Sequence, residues 1–86
     1  MIRLKITKAS GEVSQYDITP AIEYSFELHT KDGFNKRFRE AEKNTDVYWL
    51  AWEAERRAGI TVPPFGEKYL ETLAEVKVED ADSPNG

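Results

Sequence analysis

An 86-residue chain in which 40% of the residues are apolar and 12% aromatic can form one small domain with a modest core. Its net charge of −4 argues against nonspecific binding to nucleic acid, because such binding needs a positive field to release counterions from phosphate. The absence of cysteine excludes disulfides and thiolate metal sites and fits a reducing cytoplasm, and no segment has the length of a membrane span.

Residues 2–18 predict a β-hairpin. Apolar and polar residues alternate over residues 2–7, which is the period of a strand covered on one face, and residues 8–11 supply a turn. The returning strand is expected over residues 13–18. Val13 is out of phase with Tyr16 and Ile18, which predicts a bulge or a late start of that strand.

Two helices are expected next, at residues 20–29 and 34–43. Thr19 can cap the first helix and Pro20 suits its first position, since proline loses no hydrogen bond there. Residues 31–33 end this helix, whose predicted core-facing residues are Ala21, Ile22, Ser25, Phe26 and Leu28. The second helix anchors through Phe34, Phe38 and Ala41.

Both tryptophans fall in a third predicted helix, at residues 46–58, which residues 44–46 cap and Gly59 ends. Trp49 and Trp52 are three residues apart and lie on adjoining parts of the helix surface. Apolar residues cover most of the circumference, so the helix is either central to the core or pressed against a partner.

The proline pair at residues 63–64 forces a turn before a last predicted helix, at residues 65–76. Glu67, Glu71 and Glu75 recur every four residues and should form one acidic stripe on it. Residues 79–86 have nothing to bury and are expected to be a disordered acidic tail. The chain is therefore expected to be α+β: one domain at residues 1–78, with an N-terminal β-hairpin and a small bundle of three to four helices.

Catalytic chemistry lacks its parts, so no catalytic, cofactor or metal residues are predicted and an enzyme is not expected. The single histidine, His29, has no cysteine to activate and no second histidine for a metal, which favours a role at the surface or a helix end. Glu53 and Glu55 are two apart on a helix and point to different sides, which disfavours an acid/base pair. The basic residues at 31–43 are diluted by acids and favour a solvated helix face over a nucleic-acid patch.

Aromatic residues are the remaining candidates for function. They either complete the core or form a partly exposed surface for a partner, and which tryptophan faces outward stays open. Stacking on bases is disfavoured, because it works together with a basic groove and here the neighbouring residues are acidic. The candidate partner-binding residues are Tyr48, Trp49, Trp52, Phe65, Tyr69, Glu67 and Glu71.

The ordered motifs resemble the tail assembly chaperones of long-tailed bacteriophages, over about residues 2 to 82. The resemblance is carried by the sequences at residues 16–20 (YDITP), 49–54 (WLAWEA), 56–59 (RRAG) and 62–65 (VPPF), by Glu23, Phe26 and Glu27 in the first helix, and by the acidic tail. Gly66 and Tyr69 depart from it, standing where the family more often has an acidic residue and a tryptophan.

This resemblance implies a non-enzymatic role in the cytoplasm of an infected bacterium. Such chaperones coat the tape measure protein, keep it soluble, help recruit tail tube subunits and are absent from the finished virion. Many are made in two lengths through a ribosomal frameshift. Small size and exposed aromatics favour self-association, while nucleic acid and membranes are not expected partners. Two alternatives are a small virion protein, such as a connector or tail-completion protein, and an acidic inhibitor acting through the glutamate stripe.

Overall fold

The structure, a computed structural model, describes residues 2–40 and 43–80. These residues form a three-stranded antiparallel sheet and four helices, which confirms the predicted α+β class. In chain order the elements are β1 (Ile2–Lys8), β2 (Val13–Asp17), α1 (Pro20–Thr30), α2 (Phe34–Glu40), α3 (Asn44–Arg57), α4 (Glu67–Leu70) and β3 (Leu73–Asp80).

The N-terminal strand is the centre of the sheet, whose strand order is β2-β1-β3. Leu4 and Ile6 lie on the face of β1 that the helices cover, and both are fully buried. Arg3 and Lys5 point to the opposite face, because side chains alternate along a strand. The β1–β3 ladder slips between Thr7 and Lys8, so the register contains a β-bulge opposite these residues.

The predicted hairpin is confirmed, but the irregularity expected at Val13 is absent. β1 and β2 pair in continuous register from Arg3 with Asp17 to Thr7 with Val13. Val13 and Tyr16 lie on opposite faces of β2, and Val13 is 51% exposed. Val13 is therefore out of phase because it is an exposed apolar residue, and not because of a bulge. The turn between the strands closes with Gly11 at φ +97°, donating its N–H to the carbonyl of Lys8 at 2.8 Å.

Helix α1 begins as predicted, with the Thr19 hydroxyl accepting a hydrogen bond from the amide of Ile22 at 3.4 Å. It ends at Lys31, which adopts the left-handed conformation at φ 60°. The prediction that Ala21 and Leu28 face the core is wrong, because both are exposed.

Helix α3 begins at Asn44, two residues before its predicted start. Lys43 precedes it in an extended conformation without a side-chain cap, so the prediction that helix α2 reaches residue 43 is wrong. Ala41, a predicted anchor of α2, lies outside the described residues. Asp46 occupies the first turn of α3, as expected for an acidic residue near the positive end of a helix dipole.

The predicted last helix at residues 65–76 is wrong beyond its first turn. Only Glu67–Leu70 are helical, and the chain then forms β3, where Val76 and Val78 pack against the core and Lys77 faces away. Tertiary pairing decides this conformation, because β3 covers the second edge of β1 and completes the burial of Leu4 and Ile6. The tail predicted from residue 79 therefore starts too early; residues 81–86 lie outside the described part.

Candidate partner-binding site

The outer side of helix α1 carries an exposed apolar stripe, defined here as the α1 stripe: Ala21, Tyr24 and Leu28. The side chains of Tyr24 and Leu28 are 65% and 55% exposed, more than any other large apolar residue that the structure describes. Spacings of three and four place the three residues on one side of the helix. Ile22 and Phe26, on the other side, are 4% and 0% exposed and anchor the helix in the core.

Contacts with α3 along one flank of α1 help to fix how the stripe is presented. The Ser25 hydroxyl accepts a hydrogen bond from Nη2 of Arg57 in α3 at 2.8 Å. The His29 ring stacks on Trp49 with ring centroids 4.6 Å apart and an angle of 9° between the planes. His29 is exposed in the last turn, as the sequence predicted. The core and α3 therefore hold α1. The stripe is the side of the helix that makes no such contacts.

Helix α2 is joined to α1 through the carboxylate of Glu27. Its Oε2 accepts a hydrogen bond from the backbone amide of Phe34 at 2.7 Å, and Phe34 packs edge-on against Phe26 with centroids 5.4 Å apart. The amide at the start of a helix needs such an acceptor, since it has no partner within its own helix. Glu27 thus uses its charge to fix the helix pair and not to solvate the stripe.

The residues predicted to bind a partner separate into buried and accessible groups. Trp49 and Tyr69 are 7% and 0% exposed and belong to the core, so they cannot be offered to a partner without unfolding. Tyr48, Trp52 and Phe65 are half-buried, and of the two tryptophans it is Trp52 that reaches the surface. Glu67 and Glu71 are exposed.

Trp52 holds the loop that follows α3. Its indole N–H donates to the carbonyl of Pro63 at 2.8 Å, and its ring meets Phe65 with centroids 6.1 Å apart. The guanidinium carbon of Arg56 lies 5.6 Å from the Trp52 ring centroid, within the range of a cation–π contact. These contacts indicate that the WLAWEA motif closes the fold around the proline loop.

Tyr48 lies in a different place, a shallow groove of about 220 Å³ beside the start of β3. Leu70 of α4 and three consecutive residues of β3, Leu73, Ala74 and Glu75, complete its lining. The predicted acidic stripe forms only in part. Glu67 and Glu71 stay one helical turn apart, with the Glu71 amide donating to the Glu67 carbonyl at 2.9 Å, whereas Glu75 is in β3. The structure thus brings Trp49, Trp52, Phe65 and Tyr69 together in consecutive ring contacts, but leaves Tyr48 apart from them.

Glu53 on α3 is buried and binds two arginines. Its carboxylate accepts from Arg56 Nε and Nη2, each at 3.0 Å, and from Arg57 Nε at 2.8 Å. Burial by itself would raise the pKa of Glu53, but the hydrogen bonds from Arg56 and Arg57 outweigh it and hold that pKa below its ordinary value. The carboxylate is therefore charged in the folded protein at neutral pH.

Glu55 enters a second buried network, on another side of α3. Its Oε1 lies 2.9 Å from Nζ of Lys8 and accepts from the Tyr69 hydroxyl at 2.8 Å. Nζ of Lys8 also donates to Thr72 Oγ1 at 3.2 Å. Burial and the bond to Glu55 raise the pKa of Tyr69, which keeps its phenol neutral. The network ties β1, α3 and the turn before β3, and its groups use one another as partners.

Asp46 is the third buried acid of α3. It forms a bidentate ion pair with Arg37 of α2. Nε of Arg37 donates to Oδ2 of Asp46 at 2.8 Å, and Nη2 donates to Oδ1 at 3.2 Å. The burial of all three acids was not predicted. The positions of Arg56 and Arg57, three and four residues after Glu53, did indicate ion pairs with that residue. The spacing did separate Glu53 from Glu55, and the two carboxylates bind different partners.

The described ranges, 2–40 and 43–80, contain no cluster of three or more acidic or histidine side chains that could hold a metal ion. Within the same ranges, no helix has the length and apolar character needed to cross a membrane. Comparison with protein-family models, curated proteins and solved structures gives no match for this chain.

Proposed function

We propose that this protein is a phage tail assembly chaperone that binds an amphipathic helical client through the α1 stripe. The observation that carries this proposal is the exposure of Tyr24 and Leu28, 65% and 55%, on the outer side of a firmly anchored helix. An apolar stripe at spacings of three and four matches the periodicity of a helical partner. The resemblance in sequence supplies the client, the tape measure protein, with tail tube subunits as a further partner.

The stripe fits many weak contacts along a long client better than one tight contact. It offers two large side chains, which is a small apolar area for a stable one-to-one complex. Many copies bound along one helical protein would add their affinities through a common scaffold. The net charge of −4 per chain would keep such an assembly soluble.

Binding to peptides tests the proposal. The probes are fluorescent helical segments of a phage tape measure protein, and fluorescence anisotropy measures the affinity of the protein for them. Tyr24→Lys and Leu28→Lys should each weaken binding by about tenfold or more, since each removes a buried apolar contact worth about 1.5–3 kcal/mol.

Ile60→Lys is the matched control, because Ile60 is also a large exposed apolar residue, at 44%, but lies outside α1. It should bind the peptides like the unchanged protein. Equal losses in all three variants, or no binding to any segment, would contradict the proposal. Detection of the protein in purified virions at a fixed copy number would favour a structural component instead.

A further inference from the structure

The outer edge of β3 is unpaired. β3 is eight residues long and lies at the side of the sheet, so it bonds to β1 on one side only. Over residues 73–79, no backbone hydrogen bond to another described residue occupies its other side. An exposed edge of this length is a template for pairing with another strand.

Charges on the open face of the sheet are mismatched within one copy of the chain. Lys77 stands directly opposite Lys5 of β1, and like charges in this position are destabilising. Glu75 stands opposite Thr7 and has no ion-pair partner among the described residues. The edge strand therefore presents one acid and one base, two residues apart, and neither has an oppositely charged residue directly opposite it in β1.

We propose that a second copy of the chain pairs with this edge, β3 antiparallel to β3, about a twofold axis at Val76. In this register Glu75 of each copy stands opposite Lys77 of the other, so the symmetry makes two ion pairs across the interface. The two sheets join into one, with strand order β2-β1-β3-β3-β1-β2.

The apolar face of the strand fits the same register. Val76 meets Val76 of the second copy, and Val78 meets Ala74, an exposed residue that lies in the β-bulge beside the groove lined by Tyr48 and Leu70. Val76 and Val78 are only half-buried in a single copy, whereas Leu4 and Ile6 in the central strand are fully buried. Pairing would give the edge valines the neighbours that the central strand already has.

Other registers fit less well. A shift by one residue would turn the apolar side chains to the charged face. An axis at Lys77 places that lysine opposite itself. An axis at Val78 pairs Lys77 with Glu79 but brings the carboxylate of Asp80 opposite Val76 on the apolar face. Of these registers, the axis at Val76 is the one that pairs Glu75 with Lys77 and places Val76 opposite itself on the apolar face.

Introduced cysteines test the register, and the chain has no cysteine of its own to interfere. Directly opposed residues in antiparallel strands have Cα atoms about 4.5–5.5 Å apart, within disulfide range. Val76→Cys should therefore form a disulfide dimer on mild oxidation. Lys77→Cys and Val78→Cys should not, because an offset of two residues or more takes their Cα atoms beyond about 7 Å.

Ser14→Cys, on the opposite edge strand β2, is the matched control and should stay monomeric. Crosslinking at Val78 or Lys77 in place of Val76 would overturn the register. Crosslinking only at Ser14, or at no position, would overturn pairing through β3.

Charge reversal tests the ion pairs in the unmodified fold. Lys77→Glu should raise the dissociation constant of the dimer about tenfold, since two pairs worth about 0.5–1 kcal/mol each are lost. The same change places Glu opposite Lys5 and removes a repulsion within the monomer, so unfolding cannot explain the loss. Sedimentation velocity over a range of protein concentrations measures the association.

The exchanged variant, Glu75→Lys with Lys77→Glu, restores opposite charges and should restore dimerisation. An unchanged dimer in the single variant, or no recovery in the exchanged one, would contradict the proposal. The inference is independent of the proposed function, because neither residue belongs to the α1 stripe, and the monomeric variant should still bind helical peptides.

Discussion

Glu53 makes the stability of the folded protein sensitive to acid. Its folded-state pKa lies below its ordinary value of 4.5, so the charged form contributes stability above that pH. This contribution is lost as the pH falls through the lowered pKa, because protonation then has to break the bonds to Arg56 and Arg57.

The variant Glu53→Gln should lower the free energy of unfolding by about 1–3 kcal/mol at neutral pH, since it weakens charge-assisted hydrogen bonds. The difference from the unchanged protein should shrink as the pH falls below 4.5. Urea denaturation at a series of pH values measures it. Glu12→Gln, at an exposed position, is the control and should change little at any pH. A difference that stays constant into strong acid would contradict this account.

Lys8 and Lys5 are two lysines on one strand with opposite roles. Lys8 pairs with the buried Glu55, whereas Lys5 lies on the open face of the sheet. Lys8→Met should lower the free energy of unfolding by about 3 kcal/mol, because it leaves a buried carboxylate without its cation. Lys5→Met should change the free energy of unfolding by no more than about 0.5 kcal/mol. Chemical denaturation compares the two, and equal effects would show that Glu55 does not depend on Lys8.

At the scale of single elements, helix α1 ends within the predicted segment 31–33, but at its lysine and not at its glycine. Lys31, a non-glycine residue, adopts φ 60° and ψ 33° at the C-cap, where glycine is preferred. Gly33, two residues later, was part of the predicted stop signal but does not occupy the left-handed position. The helix therefore ends at the first residue of the predicted stop segment, two residues before its glycine.

Lys31→Gly should raise the free energy of unfolding by about 1 kcal/mol, because glycine adopts the left-handed conformation without steric cost. Lys36→Gly, inside α2, should lower it by a similar amount through lost helix propensity. Thermal or urea unfolding measures both. A destabilised Lys31→Gly variant would mean that the lysine side chain makes a stabilising contact at this position.

Local sequence signals predicted the elements that depend on local chemistry. The hairpin follows from alternation over residues 2–7 and a glycine turn, and the start of α1 follows from Thr19 and Pro20. β3 was not recognised, although Val76 and Val78 alternate with Lys77 and Glu79, because its four-residue glutamate spacing also fits a helix and its pairing partner lies some seventy residues earlier in the chain.

The candidate site was missed for a related reason. Ala21 and Leu28 were assigned to the core with Ile22, although Leu28 lies six residues from Ile22 and hence about a third of a turn off its face. The two tryptophans favoured α3 as the partner surface. In the structure, Trp49 belongs to the core and Trp52 packs against it and binds the proline loop.

At the scale of the whole molecule, stability should be greatest in the middle of the sheet. β1 is bonded on both sides and buries Leu4 and Ile6 completely, whereas β2 is a five-residue edge strand with alternate residues exposed. Local opening starts where few buried contacts and many exposed hydrogen bonds occur, which places it at the edge strands and not in β1.

Native-state hydrogen exchange should therefore find the slowest amides in β1 and in the middle of α3, around Leu50 and Ala51, which are both fully buried. Amides of α2, a seven-residue helix, should exchange faster. NMR spectra recorded over time after transfer to heavy water give the order. Slower exchange in α2 than in β1 would contradict a stability centred on the sheet.

The central position of β1 also constrains folding during synthesis on the ribosome. Among the described strands β1 is translated first. β2 pairs with one side of it within a few residues, but its other side waits for β3, the last of the described elements. Until then Leu4, Ile6 and the valines of β3 cannot form their shared layer. These residues therefore cannot complete their core until residue 80 has left the exit tunnel, so we expect their folding to follow the synthesis of β3.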